Sequence, residues 1–390
     1  MGNKVIYLHS AKNPVNNRRF LDGMLRFART VGWSVEPVLM DGLSPGALRK
    51  LVRSGDVVGC VRNAEWPRHG VAQRALEAAH VPVVVLDSSE TDRSRSDGAV
   101  FCDNAAIAKA AFRELSAGRP PSFAAVTYWN PSLRWAQGRV AAFSTLCSEA
   151  KSECAVFPPN GVEPPEERME RLAEWAAALP NHVAIFAVND FTAVETAIAL
   201  RSRHRHIPKT ATLIGVDGSP ERHDIPASPV PLSSVNVNFE SAGFLATRTL
   251  AEIISRGVAE NASPPLFGPL MVVRRESTRG RGRREPFVLE AAEAIRREAC
   301  NGLTAADLAG RFMVSRKHFE RRFREATGHS VLDEILYVRL EQVQAYLLRR
   351  DVAIDTIAGF CGFGSEIELR RLFRRRFGMS MSEWRARNSV

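Results

Sequence analysis

The chain has 390 residues, 45% of them apolar, with a formal net charge of +10. That length suits two or three units with cores of their own, and the charge favours a polyanionic partner. No run approaches the ~20 apolar residues that cross a bilayer, the first apolar run, Val5 to Leu8, is too short for a signal-peptide core, and no polybasic segment flanks an apolar span, so no membrane partner is expected. Cys60, Cys102, Cys147, Cys154, Cys300 and Cys361 show no CxxC spacing. They read as reduced core residues of a cytoplasmic protein without disulfides or a metal site.

In chain order, strands are predicted at Val5–Leu8, Val57–Val61, Val83–Leu86, Ala124–Thr127, Ala184–Val188 and Thr212–Val216. Between and after them come helices at Phe20–Thr30, Asn104–Ser116, Trp135–Cys147, Phe191–Arg203 and Ser241–Arg256. Apolar strands alternating with helices imply parallel sheets covered on both faces. The expectation is an α/β ligand domain over residues 1–273, built as two lobes. Lobe one takes about 1–122 and a return at about 236–258; lobe two takes about 123–235, completed by a strand near Met271. His204 and His206 flank Arg205, and that cationic setting reads as a solvated helix end, not a metal site. No nucleophile elbow or other catalytic set can be assembled, so no cofactor or enzymatic activity is expected.

Residues 274–285 contain no apolar side chain and read as a basic linker. From Pro286 to Val390 the periodicity is helical throughout, giving an all-α domain over 286–390. It repeats internally: Leu308-Ala309-Gly310 matches Ile357-Ala358-Gly359, and Phe323, Gly328 and Ser330 match Phe373, Gly378 and Ser380. The register slips by one residue in the turn, as two related helix pairs would show. In the first, Thr304 and Ser315 are helix caps, and Leu308, Phe312, Phe319 and Phe323 form an apolar face. Arg316, Lys317, Glu320 and Arg321 are left outside, suited to donors and acceptors in a major groove. In the second, Ile357, Phe363, Leu369 and Phe373 read as core. Arg370, Arg371, Arg374 and Arg375 read as outward, the Arg374–Arg376 run suiting phosphates. A single helix of this kind is more simply a solvated amphipathic helix; the repeat favours a DNA reader.

Residues 287–387 resemble the DNA-binding domain of AraC-type regulators. The marks are the Leu-Ala…Ser…Phe…Phe…Gly order of the first unit, then Arg339-Leu340, Leu347-Leu348, Ile357-Ala358, Gly362-Phe363 and Glu383-Trp384-Arg385. Met381 and Leu369 depart from the pattern at packing positions. The resemblance implies two recognition helices entering successive major grooves of double-stranded DNA. Lys317, Glu320 and Arg321 would read bases in the first unit; Ile367, Arg370 and Arg371 hold the comparable face of the second.

Polar and aromatic residues also gather at the expected strand ends: Asn13 to Arg18, Tyr128-Trp129-Asn130, Asn189-Asp190 and Asp217. Each alone is more simply a turn former or cap, but together they suit a hydroxyl-rich ligand. Residues 1–273 resemble the effector domain of LacI-type regulators and the periplasmic sugar-binding proteins, through Asp103-Asn104, Arg134-Trp135…Arg139…Ala142-Phe143, Phe186-Ala187-Val188-Asn189-Asp190 and Ile214-Gly215-Val216-Asp217. That resemblance implies a sugar held between the lobes by Arg139, Asn189 and Asp217; Trp129 and Trp135 are further ligand-binding candidates. Val237 stands where a Gln is common, so one usual contact is missing. The order of the two resemblances, with Arg134-Trp135-Ala136, is similar to bacterial xylose-responsive regulators. That family implies a homodimeric activator acting with RNA polymerase and controlled by a pentose. The alternatives are a ligand-free dimerisation domain and a sugar-acting enzyme.

Overall fold

The structure is a computed structural model that describes residues 3–11, 14–41, 43–52, 55–63, 71–86, 96–118, 120–161, 163–218, 227–256, 264–278, 286–327, 330–347, 352–377 and 379–388. Asn13, Gly328 and Gly378 lie outside the described residues. The amino-terminal lobe begins with β1 (Lys4–His9), α1 (Pro14–Thr30), β2 (Ser34–Leu39), α2 (Pro45–Val52), β3 (Val57–Asn63), α3 (Val71–Ala78), β4 (Val83–Leu86) and β5 (Gly98–Cys102). The second lobe follows with α4 (Asn104–Ser116), β6 (Phe123–Val126), α5 (Arg134–Glu149), β7 (Cys154–Phe157), α6 (Pro165–Ala178), β8 (Val183–Ala187), α7 (Asp190–Ser202), β9 (Ala211–Val216) and β10 (Ser233–Val237). The chain then returns through α8 (Phe239–Arg256), β11 (Leu266–Phe267) and β12 (Pro269–Val273).

Two six-stranded sheets result, in the orders β11-β5-β4-β3-β1-β2 and β12-β10-β9-β8-β6-β7. All pairings are parallel except β10 with β12. The central strands β4 and β8 are buried at every residue, which is why they are continuous apolar runs. Helices α1 and α8 cross tightly over sheet one. Gly23 and Gly243 stand at that crossing, where a Cβ on either would overlap the other helix's backbone.

The chain passes between the lobes at Asp103, Asn238 and Gly268. These crossings lie side by side: Asp103 N–H donates to Phe267 O at 2.7 Å, and Asn238 N–H to Gly268 O at 3.0 Å. Asp103 and Asn238 also cap the helices they open, accepting from Ala106 N–H at 2.8 Å and Ser241 N–H at 3.0 Å. Each crossing therefore runs straight into a helix. One helix changes lobe relative to the sequence expectation: α4 packs on α5 and the second sheet, so the first crossing is at Asp103 and not near residue 122. The apolar periodicity of α4 shows a buried face but not which sheet covers it.

The carboxy-terminal bundle comprises α9 (Pro286–Glu298), α10 (Ala305–Arg311), α11 (Arg316–Thr327), α12 (Val331–Leu347), α13 (Ile354–Phe360), α14 (Glu366–Phe377) and α15 (Met381–Asn388). It has two cores joined by α12, whose Ile335 and Val338 belong to the first and Leu340 and Val343 to the second. The start of the expected linker is packed. Ser277 is buried, accepts from Ser233 N–H at 2.8 Å and donates to Leu213 O at 2.6 Å. Polar residues enter this interior by satisfying backbone groups rather than by apolar burial. Residues 279–285 lie outside the described residues.

Candidate ligand cleft and nucleic-acid interface

The carboxyl ends of both sheets meet at the hinge, where Arg19 reaches from the first lobe to the second and Arg139 of the second lobe reaches Cys102 Sγ, at the end of β5, at 3.8 Å. Arg139, on α5 and 3% exposed, donates to Val188 O at 2.7 Å and to Asn104 Oδ1 at 3.0 Å. Its guanidinium lies 4.9 Å from the Trp135 ring centroid and 3.9 Å from a carboxylate oxygen of Asp217. Asp217 is 5% exposed and holds φ at +111°, a backbone state that costs a non-glycine residue of order 1–3 kcal/mol and clusters at functional sites. Arg19, on α1, donates to Asp217 O at 3.0 Å, Asn236 Oδ1 at 2.9 Å and Val237 O at 2.5 Å. Burial lowers the Arg19 pKa, and the charges of Asp217, Glu240 and Asp190 oppose that shift.

An aromatic wall stands beside this polar floor. Tyr128 lies 5.4 Å from Trp129 and 5.6 Å from Trp135, ring to ring. The floor and wall offer charged donors, a carboxylate and an apolar face, which together suit a polyol ring.

The remaining residues expected at this site are placed differently. Asn189 Oδ1 caps α7 by accepting from Thr192 N–H at 2.8 Å. Asp190 is wholly buried and accepts from Ser234 Oγ at 2.6 Å. Arg18 is exposed and paired with Asp22 at 3.0 Å. Sequence reasoning missed Arg19 and Asn236, and took in Asn16 only as part of the run Asn13 to Arg18. Asn16 is 3% exposed and its Oδ1 has no hydrogen-bond partner among the described residues. Its neighbour Asn17 accepts from Tyr7 Oη at 3.1 Å.

Several bonds recur between the two helix pairs of the bundle, although the Thr304–Asp307 capping box that opens α10 has no counterpart at Ala353 before α13. Ser315 Oγ accepts from His318 N–H at 3.3 Å, and Ser365 Oγ from Glu368 N–H at 3.2 Å. Ser330 with Asp333 and Ser380 with Glu383 form reciprocal caps. Arg339 clamps Ala299 O and Leu303 O ahead of α10, while Arg385 clamps Leu347 O and Val352 O ahead of α13. On α11, Phe319 and Phe323 are fully buried, and Arg316, Lys317 and Arg321 are exposed with Glu320 half-buried. On α14, Leu369 and Phe373 are buried, and Ile367, Arg370, Arg371, Arg374 and Arg375 are exposed. Both outer faces carry an i,i+4 ion pair, Arg316–Glu320 at 2.8 Å and Glu366–Arg370 at 2.5 Å.

Comparison with known proteins agrees with both halves. A helix-turn-helix domain profile matches residues 308–387, and a periplasmic binding protein-like domain profile matches residues 121–278. The chain is 28% identical over 326 residues to the xylose operon regulatory protein of Escherichia coli strain K12, covering 81% of each. It is 31% identical over 104 residues to a putative AraC-like transcription regulator of Streptomyces lividans, covering 27% of this chain and 34% of that one. Among solved structures, that of the xylose-binding transcription activator xylR superposes with a TM-score of 0.59 at 24% identity, over 99% of each chain. A ribose operon repressor from Lactobacillus acidophilus superposes over 72% of this chain and 99% of its own, with a TM-score of 0.53 at 19% identity. The chain is a helix-turn-helix transcription regulator with a periplasmic-binding-protein-like domain ahead of its DNA-binding bundle, similar over most of its length to xylose operon regulatory proteins.

Proposed function

We propose that this regulator is controlled by a small sugar, a pentose such as xylose, bound between the two lobes by Arg139 and Asp217 against Trp129 and Trp135. Arg19 and Asn236 join them, and Asn189 and Asp190 serve as supports beneath. The observation that carries the reading is the buried Arg139–Asp217 pair at the hinge, 3.9 Å apart, with Asp217 held in a strained backbone. The similarity to xylose operon regulatory proteins supplies the choice of pentose. The units are a ligand domain to residue 273 and a DNA-binding domain from 286, with Arg316, Lys317, Glu320, Arg321, Ile367, Arg370, Arg371, Arg374 and Arg375 facing DNA. We read the protein as a cytoplasmic homodimeric activator that contacts RNA polymerase and has no enzymatic activity, as its relatives are regulators.

Control requires the sugar to prefer one arrangement of the domains, and the contacts offer a route for it. Strand β12 starts at the Gly268 crossing and docks on α12: Leu270 O accepts from Gln344, and Val272 O from Tyr337. Helix α4 starts at the Asp103 crossing and carries Glu114, which pairs with Arg274 at 2.7 Å. Arg274 also reaches Glu334 of α12 at 3.3 Å and lies 3.6 Å from the Tyr337 ring centroid. Burial would lower the Arg274 pKa, but Glu114, Tyr337 and Glu334 outweigh it and raise it. Two hinge crossings thus end on the helix that joins the two DNA-reading units.

The test is a thermal shift with D-xylose. Linkage supplies about 2.7 kcal/mol at a concentration 100 times the dissociation constant. The shift is expected to saturate, to discriminate between epimers and to vanish in Asp217→Ala. Equal, unsaturating shifts from all sugars in both proteins would mean only exclusion from the surface and would favour a ligand-free domain.

A further inference from the structure

At one outward position the two recognition helices differ by an apolar side chain in place of a cation. Counted from the equivalent caps Ser315 and Ser365, the buried positions correspond, Phe319 with Leu369 and Phe323 with Phe373. Exposed Arg321 corresponds to exposed Arg371, and the Arg316–Glu320 pair recurs with its charges reversed as Glu366–Arg370. The second residue after each cap is Lys317 in α11 and Ile367 in α14. Ile367 is 79% exposed. Among the described residues of these two helices it is the one large apolar side chain so exposed.

Nothing in the intramolecular packing accounts for a branched aliphatic at that place. It lies in line with Arg370, Arg371 and Arg374 at i+3, i+4 and i+7, so it shares a face with the cations. That face is set to approach a polyanion, and the major-groove edge of DNA presents one prominent apolar group, the 5-methyl of thymine. We propose that Ile367 is a specificity-determining residue that packs on a thymine methyl in the groove facing α14, while Lys317 at the equivalent place donates to a base acceptor in the groove facing α11. The inference rests on the reading of both helices as DNA-reading elements. Covering one methyl group is worth about fourfold in affinity, and removing either partner should forfeit it.

The test isolates the methyl. A preferred duplex is selected from a random library with the full chain, and each thymine in turn is replaced by deoxyuridine, which removes the methyl and leaves the base pair. The expected result is one position, in the half of the site bound by α14, where deoxyuridine weakens binding about fourfold. Ile367→Ala, an exposed substitution whose folding is checked by circular dichroism, should bind the thymine and deoxyuridine duplexes equally. Lys317→Ala should keep the discrimination. If the wild type selects a sequence but ignores deoxyuridine everywhere, or if Ile367→Ala still discriminates, the thymine assignment is overturned and the helices remain DNA readers. If no sequence is selected, base reading by these helices fails and the assignment falls with it.

Discussion

Gly362 and Met313 hold equivalent turns in the two helix pairs, with φ of +73° and +51°. In the second turn a Cβ would stand 2.6 Å from the Cys300 carbonyl oxygen, so only glycine fits. In the first, the Met313 side chain is 92% exposed and the left-handed backbone costs it roughly 1–2 kcal/mol. Gly362→Ala is therefore expected to destabilise by at least about 1 kcal/mol, read as a fall in Tm, while Met313→Gly leaves Tm unchanged or higher. Beside Gly362, the Cys300 thiol is pulled down to about 7 by a hydrogen bond from Cys361 and the charge of Arg339. Burial pushes Cys60 up to about 12. The thiolate is the reactive form, so iodoacetamide labelling of Cys300, followed by mass spectrometry, should rise as pH increases through 7 while Cys60 stays unmodified. At this scale the sequence pointed to Arg139 and Asp217, which lie buried together at the hinge, and to Arg18, which is exposed while its neighbour Arg19 turns inward. Helix α1 begins at Pro14, not Phe20, which left the facing of this first stretch unread. The partners that turn Arg19 inward are 198 and 217 positions away, beyond any local pattern.

Elements were legible where burial imposes a clear apolar pattern. Val83–Leu86, buried at every residue, and Asn104–Ser116, buried along one face, have the bounds that pattern indicates. Strand β2 was not legible, because Ser34–Leu39 is a half-exposed edge strand that includes Pro37, and edge strands tolerate both polarity and proline. The helix pairs were legible because they occur twice, and the one-residue slip falls between Met313 and Ser315 on one side and Gly362 and Ser365 on the other. All three residues of the Arg374–Arg376 run are exposed. Arg376 also lies near Arg274 and Arg113, and partial desolvation first, then those charges, lower its pKa. Arg375→Ala should weaken binding to most duplexes alike, whereas Arg321→Ala should relax base preference, a good base contact being worth about 1–3 kcal/mol. Selected-site profiles check this; identical wild-type profiles from both variants would show the roles are wrongly divided. With six phosphate contacts the log-log salt slope should be roughly −5.

For the whole molecule, the ion-paired cluster of Arg274, Glu114 and Glu334 joins the hinge, where we propose the sugar binds, to the helix-turn-helix bundle. Arg274→Met keeps the packing on Tyr337 and removes the charge. It is expected to leave xylose binding and salt-dependent DNA binding in place while reducing the effect of one on the other, checked by titrating each ligand with and without its counterpart. The order of the two domains was plain from composition and periodicity, but this joint was not. It forms from a segment without apolar residues, and its partners lie 160 and 60 positions away. The most direct measurement of the account is the dissociation constant of the full chain for its selected duplex, at fixed salt, as D-xylose is titrated. Coupling of 1–3 kcal/mol corresponds to a change of about 5- to 150-fold. A saturable change of at least that lower size is expected, absent in Asp217→Ala. A dissociation constant indifferent to xylose, with DNA binding intact, would contradict it.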